Sequence, residues 1–435
     1  MDVATVNQHL LAGTLTDLGM FGHLQRLADS PFVFKHSFGL DVLPMGPGII
    51  AVRGPRQYGK STWLEQQIVA TIQTFGAGTA FYLNGDFLAD AEQLSRELEQ
   101  LARLFNSDTP VKRIFIDEIT AIKDWGRILK RLVDNGTLDK ILIITTGSDA
   151  FDLRRGVERL PGRKGKLAKT NYLFTPLSYR NFYEVCQPVL KEKTLIAYIL
   201  SGGSPIACTE LASSGFLPDY VIQLVRDWIE GTFARSGRQR ASLVNVLAGI
   251  CRFGGTPVGQ AKLAREAHLA NNTIAQAYIE SLNDLGCVVP AFPYDAQRNN
   301  LILRKPCKYH FINLLAAATY YPSCLRSVAD FEQLLPSEQG LWYEWVVAQE
   351  LQRRAVLRQG EILAPLAFWQ SKHHEIDFYD DKYGYIEVKR GSCTPFEFGW
   401  FAEQFKGQVL TVINQNTFSA PFVKGLTLED FLLGD

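Results

Sequence analysis

The sequence has no excess of charge of either sign and no cysteine pair spaced for a metal. Its 435 residues carry 45 Lys and Arg against 45 Asp and Glu, so the formal net charge is zero. A global basic field that would attract nucleic acid is therefore missing, and any such surface must be local. The seven scattered cysteines form no CxxC pair, which argues against a disulfide framework and against zinc and fits a reduced compartment.

Long hydrophobic runs and a signal peptide are also missing. The opening residues, MDVATVNQHLLAGTLTDLGM, carry an acid at position 2 and no basic segment ahead of an apolar core. No uninterrupted apolar stretch approaches the roughly 20 residues that span a bilayer. With 46% hydrophobic and 21% charged residues, the composition is that of a soluble globular protein. We therefore predict a cytoplasmic protein of several domains with no membrane partner.

What the sequence does contain is a glycine-rich segment that matches a phosphate-binding loop. The pattern GxxxxGK[ST] runs from Gly54 to Ser61, between an apolar run and a stretch of helical periodicity. Backbone N–H groups of such a loop face phosphate oxygens, Lys60 would reach the β- and γ-phosphates, and Ser61 would bind Mg²⁺. A chance match in a glycine-rich turn is disfavoured by these flanks. The predicted nucleotide-binding residues of the loop are Gly54, Pro55, Arg56, Gln57, Tyr58, Gly59, Lys60, Ser61 and Thr62.

Two acids end a later apolar strand, as they do in ATPases. In VKRIFIDEI, Asp117 fits the Mg²⁺ shell, and Glu118 fits the base that orients the attacking water. One strand and helix, starting at TAFYLNGD, separate the phosphate loop from these acids, which is typical of ATPases with a catalytic glutamate. The next buried strand, KILIITTGSDAF, ends in hydroxyls. Thr146 and Ser148 are candidate sensors of the γ-phosphate, although either could instead cap the following helix.

A basic segment follows the sensor strand. FDLRRGVERLPGRKGKLAK contains three arginines that could be supplied to the γ-phosphate of a neighbouring subunit, namely Arg155, Arg159 and Arg163. The alternative is a solvated basic surface. The first interpretation predicts a homo-oligomer whose ATP sites are shared between subunits.

Five stretches together resemble the bacterial and archaeal AAA-family ATPases that carry a C-terminal nuclease-like domain of unknown function. They are GPRQYGKST, FIDEI, TTGSDAFDLRRGVERLPGR, TPLSYRNF and SGGSPIA, and they span about half the chain in order. The resemblance implies an ATPase core, a helical lid and a winged helix. Tyr58 stands where a small aliphatic residue is more usual, a position at which the backbone makes the contact.

The middle of the chain has a helix-turn-helix pattern. LAREAHLANNTIAQAYIESLNDLG reads as two helices around a turn, and the strands after it would form a wing. The second helix exposes neutral and acidic side chains and no Lys or Arg, so it is a poor groove binder. Arg298, Arg304 and Lys305 give the wing some charge. Contact with DNA and a purely structural winged helix both remain open.

Near the C-terminus, two short strands carry acids and a lysine at a suggestive spacing. HEIDFYD contains Asp377 and YIEVKRG contains Glu387 and Lys389, so strand alternation and a short hairpin bring the three together. Upstream, Glu344 interrupts the apolar stripe of a predicted helix, where a carboxylate is costly to bury without a partner or a metal. The alternative for the hairpin is a charged face that points at water.

This grouping resembles the PD-(D/E)xK nuclease superfamily, in which an acid on one strand is followed by acid-x-lysine on the next. Glu344 matches the helix glutamate that many members add. The resemblance implies catalytic roles for Glu344, Asp377, Glu387 and Lys389. Asp377, Glu387 and the carbonyl of Val388 would hold Mg²⁺ while Lys389 orients the attacking water. Such folds also persist as binding modules that do not cut, so activity is a separate question.

Together these patterns predict an α/β multidomain protein. The predicted domains are an AAA-type ATPase core at 1–174, a helical lid at 175–238, a winged helix at 239–325 and a restriction-endonuclease-like PD-(D/E)xK domain at 326–435. The predicted function is ATP binding and hydrolysis coupled to nucleic-acid processing, DNA being the favoured partner, with Mg²⁺-dependent phosphodiester cleavage by the tail. The alternative is a nucleotide-switched scaffold or remodelling ATPase with a catalytically silent tail.

Overall fold

The computed structural model describes four stretches of the chain: residues 2–14, 20–148, 167–359 and 363–434. The three candidate arginines, Arg155, Arg159 and Arg163, lie outside these stretches, so their role stays a prediction. Within the described stretches, no helix has the length and apolar character needed to cross a bilayer. All seven cysteines are free thiols, as expected from their scattered spacing.

The chain separates into two compact units. Unit 1 comprises Met1–Thr175 and Val356–Ile362, and unit 2 comprises Pro176–Ala355 and Leu363–Asp435. The finer division into four domains stays a prediction.

A parallel sheet forms the centre of unit 1. In the described residues its strands are β1 (Gly48–Arg53), β2 (Ala80–Asn84), β3 (Arg113–Asp117), β4 (Leu142–Gly147) and β5 (Asn171–Leu173). They lie in the order β2-β3-β4-β1-β5, and every pair is parallel. Because parallel strands all end at the same edge, the residues after β1, β3 and β4 meet there.

Helices cover both faces of this sheet. Their bounds are α1 (Val3–Ala12), α2 (Gly22–Ala28), α3 (Lys60–Phe75), α4 (Ala91–Leu104) and α5 (Trp125–Asp134). Ile50 and Val52 of β1 pack into a core with α1, α2 and α3, whereas Ile49 and Ala51 pack into a second core with α4 and α5. Burial on both faces explains why β1 reads as a continuous apolar run.

Unit 2 begins with helices. Those before its first strand are α6 (Tyr179–Leu190), α7 (Thr194–Ser201), α8 (Pro205–Ser214), α9 (Asp219–Arg235), α10 (Arg240–Phe253), α11 (Gln260–Glu266) and α12 (Asn272–Asp284). The turn at ANN is a helix cap, because the Asn271 side chain accepts a hydrogen bond from the backbone N–H of Ile274. The predicted succession of helix, short helix and helix is therefore present at α10 to α12, while its identity as a winged helix stays a prediction.

One mixed sheet runs through the rest of unit 2. Its described strands are β6 (Val288–Asp295), β7 (Asn300–Leu301), β8 (Lys308–Phe311), β9 (Leu366–Gln370), β10 (Glu375–Asp380), β11 (Gly384–Val388), β12 (Leu410–Asn414), β13 (Phe418–Ala420) and β14 (Val423–Thr427). The order is β13-β14-β12-β11-β10-β9-β6-β7, and β8 also pairs with β6. Ala291 of β6 pairs with Leu366 of β9, so the sheet crosses the predicted domain boundary at residue 325.

Five further helices of the described chain begin in unit 2. They are α13 (Leu314–Tyr320), α14 (Val328–Glu332), α15 (Pro336–Gln359), α16 (Gly399–Gln404) and α17 (Leu428–Leu433). The last residues of α15, 356–359, belong to unit 1. The predicted hairpin is confirmed, because β10 and β11 are antiparallel neighbours with Asp380 opposite Gly384. The long helix α15 carries Glu344, as predicted.

Candidate functional site

The predicted phosphate loop connects β1 to α3 in a tight curl. Gln57 and Gly59 adopt positive φ angles of 62° and 100°, and α3 begins at the next residue. Gly54 has no room for a side chain, since a Cβ there would lie 2.8 Å from the carbonyl oxygen of Phe174. The loop therefore directs its backbone toward the N-terminus of α3, where unpaired N–H groups favour anions.

Lys60 lies inside this curl. Its ammonium donates hydrogen bonds to the carbonyl oxygens of Gly54 at 3.1 Å and Pro55 at 2.8 Å, and only 4% of the residue is exposed. Burial lowers the pKa of Lys60, and the carboxylates of Glu118 and Asp117 oppose that effect. The lysine is thus held within the loop, where the negative charges of Glu118 and Asp117 act on it.

The other residues of the phosphate loop differ in their exposure to solvent. Arg56 and Gln57 are exposed, Tyr58 is buried, and Ser61 and Thr62 are half-buried in the first turn of α3. Their predicted contacts with nucleotide stay predictions.

Two hydroxyl side chains at the end of β4 hold the two acids at the end of β3. The Thr146 hydroxyl donates to Asp117 and accepts from the Glu118 backbone N–H at 3.1 Å. Ser148 donates to the Glu118 carboxylate twice, from its backbone N–H at 3.0 Å and from its hydroxyl at 3.1 Å. The structure therefore brings both candidate sensors together with both candidate acids and gives each acid a fixed orientation.

The end of β2 also contributes to this arrangement, which the sequence reasoning missed. Asn84 is the β2 partner of Asp117, and Gly85 follows it. A Cβ on Gly85 would lie 2.3 Å from the carbonyl oxygen of Glu118, whose own φ and ψ of 45° and 47° are left-handed. The signal was the polar end of the strand TAFYLNGD, because the ends of adjacent parallel strands must meet.

The sequence reasoning also missed a hydrogen-bonded pair of side chains on α2 and α3 of unit 1. His23 Nδ1 is 2.6 Å from Glu65 Oε1, and the Leu24 backbone N–H donates to the other oxygen at 3.1 Å. The hydrogen bond to Glu65 raises the pKa of His23, and Asp117 adds a smaller contribution in the same direction. This pair ties α2 to the helix that carries Lys60.

In unit 2 the hairpin brings its acids and lysine together. The Asp377 backbone N–H donates to Glu387 Oε2 at 3.3 Å, and the Val388 backbone N–H donates to Asp377 Oδ2 at 2.9 Å. Lys389 Nζ lies 2.5 Å from Glu387 Oε1. The predicted proximity of Asp377, Glu387 and Lys389 is therefore present.

Glu344 completes this group from α15. Its Oε2 atom is buried without a hydrogen-bond partner. Burial, followed by the charge of Asp377, raises the pKa of Glu344 well above its ordinary value. The same two causes raise the pKa of Glu387 to about 8, with Lys389 acting in the opposite direction. The charge of Glu375 on β10 also raises the pKa of Glu344. We call Glu344, Glu375, Asp377 and Glu387 the acid cluster.

A lysine that the sequence reasoning missed lies in the acid cluster. Lys308 of β8 is 0% exposed, and its Nζ is 2.5 Å from Glu375 Oε1 and 3.2 Å from Asp377 Oδ1. Burial alone would lower the pKa of Lys308, but the charges of Asp377, Glu344 and Glu375 outweigh it and raise the pKa. The signal was a lysine inside the apolar strand CKYHF, where a charge needs a partner.

Residues 47–183 match the family described as AAA domain. The chain thus contains a segment that is similar to AAA-type P-loop ATPase domains, and we call this segment the AAA domain. No curated protein matches the chain.

Distant structural likenesses accompany the AAA domain. The Walker-type ATPase of Pyrococcus abyssi is 14% identical, covers 68% of this chain and 93% of its own, and has a TM-score of 0.43. The ORC1 protein of Aeropyrum pernix in complex with DNA is 14% identical over 68% and 91% of the two chains, with a TM-score of 0.32. A RuvB variant of Thermotoga maritima is 16% identical over 56% and 81%, with a TM-score of 0.30. At these scores the likenesses carry no argument about function.

The two sites differ in how their oxygen atoms suit a divalent ion. In the AAA domain, the Ser61 hydroxyl and the Asp117 carboxylate are hard oxygen donors of the kind that Mg²⁺ prefers, and their role as its ligands stays a prediction. In unit 2, every carboxylate oxygen of Asp377 and Glu387 already has a protein donor. Across the described residues no group of three or more His, Cys, Asp or Glu side chains is placed to hold a metal. As arranged, Asp377 and Glu387 offer Mg²⁺ no carboxylate oxygen without a protein donor, and the binding of Mg²⁺ by Asp377, Glu387 and Val388 stays a prediction.

The close approach of Gly85 to Glu118 gives the first prediction. Gly85→Ala is expected to lower ATP turnover roughly tenfold or more, because a displacement of about 1 Å in a catalytic group is this costly. Binding of a fluorescent ATP analogue should remain near that of the unaltered protein, since the phosphate loop is untouched. Gly46→Ala is the matched control, as its Cβ would meet no atom within 4 Å. Turnover unchanged in Gly85→Ala would contradict the positioning role.

Proposed function

We propose that the chain is an ATP-hydrolysing protein that handles nucleic acid. The observation that carries the first half is the fixed pair of acids in the AAA domain, with Thr146 on Asp117 and Ser148 on Glu118. A base that must orient a water needs a defined direction, and two hydrogen bonds from Ser148 supply one. The hydroxyls of β4 thus support the sensor interpretation over simple helix capping.

In this proposal Mg·ATP is the substrate, and each residue has one role. The Lys60 ammonium exchanges its two carbonyl partners in the loop for oxygens of the β- and γ-phosphates. Ser61 and Asp117 face the accompanying Mg²⁺. Glu118 orients the attacking water, and Ser148 links that carboxylate to the end of β4. Sharing of ATP sites within a homo-oligomer is part of the proposal and rests on the arginine-rich sequence alone.

Two substitutions separate binding from hydrolysis. Lys60→Ala is expected to weaken ATP binding because it removes the buried ammonium group of the phosphate loop. Glu118→Gln is expected to leave binding intact and to lower turnover by about 10² or more, the usual contribution of a general base. Isothermal titration and a phosphate-release assay measure the two quantities. The ATPase proposal fails if turnover is unchanged in both variants.

Contact with nucleic acid is proposed for the region from α10 to the β6–β7 hairpin. The exposed face of α12 carries Asn272, Thr273, Gln276 and Glu280, with no basic side chain. Exposed Arg298, Arg304 and Lys305 lie in and after the hairpin instead. Because phosphate contacts supply most of the affinity, the hairpin is the better part of this region for binding a duplex.

A charge-matched pair of variants tests this surface. Arg304→Ala combined with Lys305→Ala is expected to weaken binding to duplex DNA and to reduce the slope of the salt dependence by about one for each phosphate that is no longer neutralised. The control combines Lys406→Ala with Lys424→Ala, which removes two exposed charges elsewhere in unit 2. Fluorescence anisotropy at several salt concentrations measures both. An equal decrease in affinity for the two pairs would indicate a general charge effect and no hairpin site.

For the C-terminal acid cluster we propose a binding module that does not cut. The support is that the oxygens of Asp377 and Glu387 are satisfied by protein donors, two of which are lysine ammonium groups. The alternative is Mg²⁺-dependent phosphodiester cleavage. It is favoured by the convergence of Glu344, Asp377, Glu387 and Lys389.

A cleavage assay decides between these two functions. The purified chain is incubated with linear, circular and single-stranded DNA and with RNA, with and without Mg²⁺ and ATP. We expect binding without cleavage under every condition. Cleavage that disappears in both Asp377→Ala and Lys389→Ala would establish the alternative, whereas cleavage that survives both would point to a contaminating nuclease.

A further inference from the structure

Lys308 is an unusual residue for its position in unit 2. Among the described lysines, it and Lys60 are the two that are buried, and Lys308 is fully so. The burial of Lys60 is explained by the phosphate loop, but no motif accounts for Lys308. An ammonium removed from water is strongly destabilising unless opposite charges and hydrogen bonds compensate it.

The surroundings of Lys308 supply that compensation from strand β10. Its ammonium lies 5.3 Å from the centre of the Phe368 ring on β9 and reaches Glu375 and Asp377 on β10. The side chain of Lys308 therefore extends from β8 past the Phe368 ring to two acids on β10 that are distant in sequence. Glu344 is a further negative charge that acts on it.

Within the acid cluster, Glu344 Oε2 has no hydrogen-bond partner, whereas every carboxylate oxygen of Asp377 and Glu387 has one. Asp377 Oδ1 faces Lys308 and its Oδ2 accepts from Val388, while Glu387 Oε1 faces Lys389 and its Oε2 accepts from Asp377. The two lysines differ in accessibility, since the Lys389 side chain is 47% exposed and that of Lys308 is 0% exposed. Lys308 is therefore the cation that solvent does not screen or exchange.

We propose that Lys308 is a built-in counter-cation that takes the place of a divalent metal in the acid cluster. Its positive charge is shared between Glu375 and Asp377 and offsets one of their two negative charges, holds these two acids together without a metal, and repels any divalent ion that approaches Asp377. This inference concerns charge balance in unit 2 alone and rests on neither ATP hydrolysis nor DNA binding.

Direct metal binding tests the inference without reference to activity. The full chain, free of nucleotide, is titrated with Mn²⁺ while the free ion is followed by electron paramagnetic resonance. The unaltered protein should bind Mn²⁺ no better than Asp377→Asn does. Lys308→Met keeps the length of the side chain and removes its charge. This variant should gain a Mn²⁺ site that binds the ion roughly tenfold or more tightly than the unaltered protein does. Adding Asp377→Asn to Lys308→Met should abolish that site.

Thermal unfolding supplies a second readout and a control. Lys308→Met should unfold at a lower temperature than the unaltered protein, and Mn²⁺ should restore most of the difference. Lys406→Met removes an exposed lysine of unit 2 and should show neither effect. The proposal is overturned if Lys308→Met gains no site. Should that variant not fold, a Mn²⁺ site in the unaltered protein that Asp377→Asn removes would overturn it equally.

Discussion

A charged side chain that is buried away from water needs hydrogen bonds or opposite charges to compensate the lost hydration. Each candidate site of this chain contains a buried lysine with such partners. In the AAA domain, Lys60 donates to two carbonyl oxygens of its own loop, and the charges of Glu118 and Asp117 favour its ammonium form. In unit 2, Lys308 is enclosed by acids from another strand. The first lysine has partners that a phosphate can replace. The second has partners fixed in a sheet, and this difference separates a site suited to an exchanging ligand from one whose Asp377 and Glu387 oxygens are already paired with protein donors.

The parallel sheet of unit 1 brings the residues of several short sequence patterns together in one site. The phosphate loop, the acids after β3 and the hydroxyls after β4 are each local, and each could be predicted because a strand, a turn and a few polar residues define it. Their meeting follows from strand direction alone. The sequence did not reveal how little space separates the loops that meet there. The contact of Gly85 with the Glu118 backbone depends on how closely two loops approach, and no spacing in the sequence encodes that distance.

The hairpin of unit 2 illustrates the other limit of sequence reasoning. Period-two alternation and the short turn at DKYG were enough to predict that Asp377, Glu387 and Lys389 lie together. They could not show that Lys308 also lies there, because its partner is 69 residues away in the chain. The pattern of an acid followed by acid-x-lysine describes one pair of strands, whereas the charge balance belongs to the whole sheet. A chain can therefore contain every residue of the motif and still differ in the charges that surround those residues.

The same separation bears on how unit 2 assembles during synthesis. Strand β8 is made long before β10, so until residue 377 leaves the ribosome Lys308 is a lone positive charge in an otherwise apolar strand. Strand β6 likewise waits for β9 with an open edge. Contacts between distant parts of a chain slow folding, because the intervening loop must be closed first. Unit 2 is therefore expected to close late, because the partners of both β6 and Lys308 are supplied by strands that are made after α15.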